Sequence, residues 1–182
     1  MKSVITIAPA SIGNLSVGFD LLGLALESID GSPLVHLADK VTINESSDNN
    51  SPLSVTGLYA DDLPRRSSEN LVMISAQRFA EVTGNDISNM AFVLEKNLPV
   101  SSGLGSSAAS ITATLVGLNR YFNQPLSNNE LLSMMGEMEA VVSGSWHLDN
   151  VAPSFLGGLI LSSNDSAESC VSLPVPDDWQ WV

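Results

Sequence analysis

The apolar positions of this 182-residue chain change their period several times, and each change marks an element. Val4 to Ile7 is a β-branched run that predicts a strand, halted by Pro9. A loop with Gly13, Asn14 and Gly18 follows. Phe19 to Leu26 is apolar and predicts a second strand, with Asp20 an unusual charge inside it. Leu34 to Asn44 predicts another strand, and Asn44 to Pro52 is polar and turn-rich, the pattern of an exposed loop. From Ser68 to Val82, Leu71, Ile74, Ala76 and Phe79 recur at roughly helical spacing, with Ser67 or Ser68 as the expected cap and Thr83-Gly84-Asn85 as the end. Met90 to Leu94 predicts a short strand.

Next, Leu104, Ala108, Ile111, Leu115, Leu118 and Phe122 recur at steps of three and four, which places them on one helix face. Pro125 and Ser127 open a further helix with Leu131, Leu132, Met135 and Met138 on its apolar side. Gly157-Gly158 reads as a turn into a strand at Leu159 to Leu161, and Val171 to Val175 as another strand. At the end of the chain, Trp179 and Trp181 alternate as on one face of a strand whose continuation is missing. Strands and helices mix without a regular βαβ alternation, so the expected class is α+β in one domain, with no internal repeat or linker.

Composition narrows the partners. Twenty acidic against seven basic residues give a net charge of -13, which disfavours nucleic acid and anionic membrane. Such a chain can bind a nucleotide only through backbone N–H groups, hydroxyls and a divalent metal. Hydrophobic residues make up 44% of the chain and aromatics are few, so the expected core is aliphatic. The single cysteine, Cys170, excludes an internal disulfide and fits a reducing, cytoplasmic setting. No apolar run approaches the ~18 residues of a membrane span, and the N-terminus does not read as a signal peptide.

The candidate chemistry concentrates in Asn97 to Ser110, where glycines and serines crowd a loop that opens straight into a helix. The first-turn N–H groups, the positive end of the helix dipole and close backbone approach make this an anion site. Three nucleotide motifs compete. A phosphate loop of the G-x-x-x-x-G-K-[ST] type fails, because no lysine follows the glycines. Gly103-Leu-Gly105-Ser-Ser-Ala108 matches the dinucleotide fingerprint, but a six-residue stretch separates it from the preceding strand and the expected later acid is missing. A serine-rich turn that merely caps a helix is the plainer reading.

The third motif is Pro99-Val100-Ser101-Ser102-Gly103-Leu104-Gly105-Ser106-Ser107-Ala108-Ala109. It resembles the phosphate-binding signature of the GHMP kinases, the superfamily of galactokinase, homoserine kinase, mevalonate kinase and phosphomevalonate kinase. Two further segments resemble the homoserine kinases within it. One runs from Ala8 to Gly23 and holds Asn14, Gly18 and Asp20; the other runs from Ser143 to Gly158 and holds His147, Asp149, Asn150 and Pro153. The resemblance covers essentially the whole chain. It implies the GHMP kinase N-terminal domain fold, similar to the second domain of ribosomal protein S5, and transfer of phosphate from ATP to the hydroxyl of L-homoserine.

On that resemblance, residues Pro99 to Ala109 hold the ATP phosphates. Asn14, Asp20, His147 and Asp149 hold the substrate, and Asn150 orients its hydroxyl as the catalytic residue. Mg²⁺ falls to Glu139 with a loop serine, Ser106 or Ser107, Ser106 being the one carried forward; Glu137 is the competing acid. Asp149 can also be read as a general base, but mevalonate kinases place their aspartate base where Asn150 aligns, and an amide takes no proton. Pro153 and Gly157-Gly158 are expected to shape the turn into the next strand. The family's second glycine-rich motif, G-x-x-x-S-G-S-G-P, and its carboxylate-gripping basic residues are not found here; Arg65, Arg66 and Arg78 read as surface charges. The expectation is therefore an N-terminal domain, residues 1–182, lacking the C-terminal domain and with little activity alone. The resemblance also implies a homodimer.

Overall fold

The computed structural model describes residues 2–15, 18–28, 36–46, 52–64, 66–163 and 166–175. The first sheet contains β1 (Ser3–Pro9), β4 (Ala38–Glu45), β6 (Met90–Glu95) and β5 (Leu53–Thr56), in that order. β1–β4 and β4–β6 run antiparallel, whereas β5–β6 is parallel. A parallel pair needs a crossover, and α1 (Leu71–Thr83) lies in the β5–β6 connection. The second sheet is a short antiparallel one, ordered β2 (Ser11–Ile12), β3 (Leu22–Ala25), β7 (Leu159–Leu161) and β8 (Val171–Leu173).

α2 (Ser106–Tyr121) is the axis of the domain. It lies across β1 and β4, with α1 and α3 (Asn128–Ser143) beside it and α4 (Val151–Leu156) against it. The periodicity predicted one apolar face, but α2 is buried on nearly every side. Ser110, Thr112, Thr114 and Asn119 are buried with Ile111, Leu115 and Leu118. Its Ala, Ser, Thr and Gly residues permit this, since small side chains let neighbouring layers come close from several directions. The hydroxyls are satisfied locally: Thr114 Oγ1 donates to the Ser110 carbonyl at 2.7 Å.

Most expected elements form with shifted ends. The strand predicted over Leu34 to Asn44 starts at Ala38, and positions 34 and 35 lie outside the described residues. So do Arg65, Trp179, Trp181 and most of the polar loop before Pro52. α1 is capped by Asn70, whose side chain accepts from the Val72 N–H at 2.9 Å, and not by Ser67 or Ser68, which form a 3₁₀ turn just upstream. Ser127 opens α3 with a full capping box to Glu130, as the sequence leads one to expect. The strand predicted over Phe19 to Leu26 is really a turn followed by β3, and Asp20 sits in the turn at φ 60°. Its side chain is half-exposed rather than sealed in a strand. The region around Pro153, expected as a turn, is the one-and-a-half-turn helix α4.

The closeness of α2 to the sheet is set at Gly117. A Cβ there would lie 2.8 Å from Ile43 Cδ1 and 2.9 Å from Thr6 Oγ1. Thr6 cannot move freely, because its hydroxyl donates to the Ala113 carbonyl at 2.6 Å. Gly117→Val is expected to destabilise the chain by about 1–3 kcal/mol through overpacking, read from urea denaturation; an unchanged midpoint would contradict this packing.

Candidate active site

The loop between β6 and α2 holds its shape through left-handed residues at Ser101, Gly103 and Gly105. Within it, Ser102 Oγ donates to the Pro99 carbonyl at 2.8 Å. Gly105 is needed for close approach as well as for its φ: a Cβ there would lie 2.0 Å from Ser11 Oγ. α2 then starts with no side-chain cap, which leaves its first-turn N–H groups to whatever enters the site. Ala108 and Ala109 are buried beneath the loop and pack it down, while Val100, Ser101, Ser102 and Gly103 stand exposed.

A buried ion pair fixes this loop from below. Lys96 and Asp39 are 2% and 0% exposed. The Lys96 ammonium donates to Asp39 Oδ2, to the Ser106 carbonyl at 2.7 Å and to Ser110 Oγ at 3.0 Å. Asp39 Oδ1 accepts the N–H groups of Asn97 and Leu98 at 3.0 and 3.2 Å. One pair thus holds both ends of the loop. Burial pushes the Lys96 pKa down, and the Asp39 charge opposes that shift. The sequence reading missed this pair. Its signal was present as a lone acid and a lone lysine at the ends of apolar strands.

Ser106 and Ser107 diverge. Ser106 Oγ, the expected metal ligand, instead donates to the Leu98 carbonyl at 3.1 Å. It is Ser107 whose hydroxyl meets Glu139, at 3.2 Å from each carboxylate oxygen. Glu137, two residues earlier on α3, points elsewhere and pairs with Arg78 at 2.9 Å. Burial raises the Glu139 pKa, the Ser107 hydrogen bond lowers it, and the nearby Asp149 charge adds to the rise. Among the described residues no three His, Cys, Asp or Glu side chains gather as a metal cluster. Glu139 and Ser107 can supply two oxygen ligands, the number Mg²⁺ takes when phosphates complete its shell.

The second wall comes from the segment after α3 and from the β2–β3 loop. Asp149 is buried, and its Oδ2 accepts the Asn14 N–H at 3.1 Å. Asn14 is left-handed at φ 56°, and its side chain accepts the Asp20 N–H at 3.0 Å. Asp20 Oδ1 lies 3.7 Å from His147 Nδ1, and His147 Nε2 meets Ser145 Oγ. Burial raises the Asp149 pKa; the Asn14 N–H and His147 lower it and Asp20 raises it. Asn150 begins α4, next to Ser11 and the Gly105 turn.

Both walls face one cavity of about 730 Å³. Gly13, Asn14, Ser106, Ser107, Glu139 and Asn150 line it, and so does Lys96. Leu63, Leu71, Ile74, Leu94 and Val142 also line it, together with Asp62, Glu69 and Asn70, and the sequence alone did not point to any of these. Asp20, His147 and Asp149 stand behind Asn14 rather than on the cavity wall.

Residues 70–158 match the family model described as GHMP kinases N terminal domain. The fold resembles that of the homoserine kinase from Cytophaga hutchinsonii at a TM-score of 0.80 and 34% identity, over 97% of this chain and 53% of that one. A Listeria monocytogenes protein assigned as a homoserine kinase matches at 0.63 and 25%, over 89% and 50%. The Methanococcus jannaschii mevalonate kinase shares the fold at 0.71 with 12% identity, over 96% and 56%. The chain carries a GHMP kinase N-terminal domain, and it spans about half the length of these solved structures. Among its described residues no helix is long and apolar enough to cross a membrane.

Two outcomes test this site. Lys96→Met leaves Asp39 charged and buried, so it is expected to cost about 3–5 kcal/mol in chemical denaturation, and Lys96→Met with Asp39→Asn to recover part of that loss. The second concerns Glu139, whose folded pKa is raised above its ordinary 4.5. The charged carboxylate therefore destabilises the nucleotide-free fold at neutral pH, and the penalty fades as pH falls through the raised pKa. Glu139→Gln is expected to raise Tm at pH 7 on the order of 2 °C, with the gain disappearing toward pH 4.5; a pH-independent gain would point to a cause other than charge burial.

Proposed function

We propose that this chain is the N-terminal, ATP-binding domain of a longer cytoplasmic enzyme that phosphorylates the side-chain hydroxyl of L-homoserine. The observation that carries this reading is the meeting of two groups in one cavity: the Gly/Ser loop with Ser107 and Glu139, and Asn14 with Asn150, Asn14 being held from behind by Asp149. The first wall suits the phosphates of ATP. Backbone N–H groups and hydroxyls take the charge that this acidic chain has few basic residues to meet. The apolar side chains in the lining suit a planar base. The Asn14 and Asn150 amides suit the polar groups of a small zwitterion, and Asp20, half-exposed behind Asn14, adds negative charge near that side of the cavity. The 34% identity to a homoserine kinase supports homoserine over other acceptors.

Glu139 and Ser107 fit Mg²⁺ by their donor chemistry. The carboxylate is buried, Ser107 is its one hydrogen-bond partner among the described residues, and burial raises its pKa. When bound there with ATP, the ion neutralises phosphate charge. The chain's own residues do the rest. The loop N–H groups hold the phosphates in line. Asn150 orients the acceptor hydroxyl. Asp149 is committed to the Asn14 N–H, so we assign it to holding that turn and not to taking a proton. The hydroxyl oxygen forms a bond to the γ-phosphorus, the bond from that phosphorus to the β–γ bridging oxygen breaks, and ADP leaves. The hydroxyl proton passes to a phosphoryl oxygen and then to solvent. A loose phosphoryl-transfer transition state permits this without a side-chain base.

A coupled ADP-release assay on the full-length protein with homoserine, mevalonate and galactose tests the proposal. Homoserine is expected to be preferred by about a hundredfold or more in kcat/KM, and Asn150→Ala to lower kcat by about a hundredfold. Preference for another acceptor would overturn the substrate, and no transfer to any of them would overturn the kinase reading. The 182-residue chain by itself is expected to show little or no transfer.

A further inference from the structure

We infer that Ser11 is a positioning residue that fixes which end of the Asn150 amide faces the acceptor hydroxyl; the inference rests on the kinase reading proposed above. Ser11 is fully buried in the two-residue strand β2. A buried hydroxyl commits its proton to an acceptor, and here the acceptor is Asn150 Oδ1 at 3.3 Å. The residue is held in place from other directions. Its N–H donates to the Leu104 carbonyl in the phosphate loop at 3.2 Å, and its backbone pairs with Ala25 of β3. Gly105 leaves the room for Oγ, since a Cβ there would sit 2.0 Å away. Ser11 is thus the point where the N-terminal segment, the phosphate loop and the start of α4 touch.

The chemical consequence follows from the two ends of an amide. With Oδ1 taken by Ser11, Asn150 presents Nδ2, a donor. Gly13 leaves room on the Nδ2 side, where a Cβ would lie 2.5 Å from that nitrogen and 2.2 Å from Asp149 Oδ2. A donor hydrogen-bonds one lone pair of the acceptor hydroxyl, leaving the other lone pair to attack phosphorus and the proton free to depart. The reversed amide would hold the hydroxyl by its proton, on an oxygen that cannot remove it. Ser11 therefore selects the productive orientation without touching the substrate.

The test is a double-mutant cycle in the full-length protein, read as kcat for the acceptor and KM for ATP. Ser11→Ala is expected to lower kcat about tenfold or more while KM for ATP changes less than about twofold. Ser11→Thr, which keeps the hydroxyl, is expected to stay within about threefold of wild type. On an Asn150→Ala background, Ser11→Ala is expected to change kcat by less than about twofold, because the group through which it acts is gone. Equal losses on both backgrounds, a Thr variant as impaired as Ala, or an Ala variant with unchanged kcat would each overturn the inference. Should Ser11→Ala fail to fold, Ser11→Cys decides: it retains shape with a poor donor, so loss of kcat supports the role and wild-type kcat overturns it. If wild type prefers another hydroxyl, the homoserine assignment fails, and the same cycle on that acceptor still tests Ser11. If wild type transfers phosphate to no acceptor, both fall.

Discussion

The Lys96–Asp39 pair lies beneath the Gly/Ser loop, out of water, and the geometry above it depends on that contact. Sealing two charges in a core is expensive, and it persists only when every remaining donor and acceptor is met. Here the remaining groups belong to the loop itself. Asp39 takes the N–H groups of Asn97 and Leu98 at the loop's entry, and Lys96 takes the carbonyl of Ser106 at its exit. The penalty of burial is offset by bonds that would otherwise leave loop backbone unpaired, so the pair and the loop conformation stabilise each other. Its place at the ends of β4 and β6 ties the loop to the sheet rather than to a mobile neighbour.

From this fixed loop the rest of the site is built by close approach. α2 must begin at Gly105, and Gly105 must pass Ser11, which in turn reaches Asn150. Asp149, next to it, holds the Asn14 turn, and Ser154 Oγ donates to the Pro9 carbonyl at 3.0 Å, pinning α4 to the end of β1. The β2–β3 region, the loop before α2 and α4 are far apart in sequence, yet they meet around one short helix. The β2–β3 region has a small apolar cluster of its own in Leu15, Leu24 and Leu159, and the contacts at Ser11, Asn14 and Ser154 join it to the loop and to α4. A substitution in one is therefore expected to be felt in the others, which is why a cycle of paired variants is more informative here than single changes.

Much of this was legible in the chain. The capping signal at Ser127, the apolar face of α3 and the Gly/Ser loop opening α2 are local patterns, and local patterns fix local structure. The gathering of Asn14, Asn150 and Glu139 into one cavity was reachable only through whole motifs, because no spacing rule joins residues more than a hundred positions apart. What stayed hidden depended on tertiary context. Asp20 looked like a charge inside an apolar strand, but a left-handed turn lifts it toward solvent. Ser106 and Ser107 are equivalent as letters; only the helix start, which aims one at Leu98 and the other at Glu139, tells them apart. The same holds for Glu137 and Glu139, two residues apart on α3 and thus on different sides of it. α2 read as amphipathic because its buried Ser and Thr count as polar, although their hydroxyls are satisfied within the helix or by its neighbours.

The charge of the chain gives the site its last constraint. A protein at -13 repels a nucleotide at long range, and its one lysine at the cavity is already committed to Asp39. Glu139 makes matters worse, since a buried carboxylate beside a phosphate loop raises the energy of bare ATP there. The same carboxylate favours a divalent cation, and the phosphates favour it too. If the site takes ATP and Mg²⁺ as proposed, nucleotide and metal each remove the other's repulsion, so their binding is coupled, each tightening the other by the same factor. On that proposed reading, an acidic chain with a backbone-built cradle would favour the metal complex over the free nucleotide. The burial of Glu139 beside Ser107 would strengthen that preference, because an exposed carboxylate in high dielectric would repel bare phosphate only feebly.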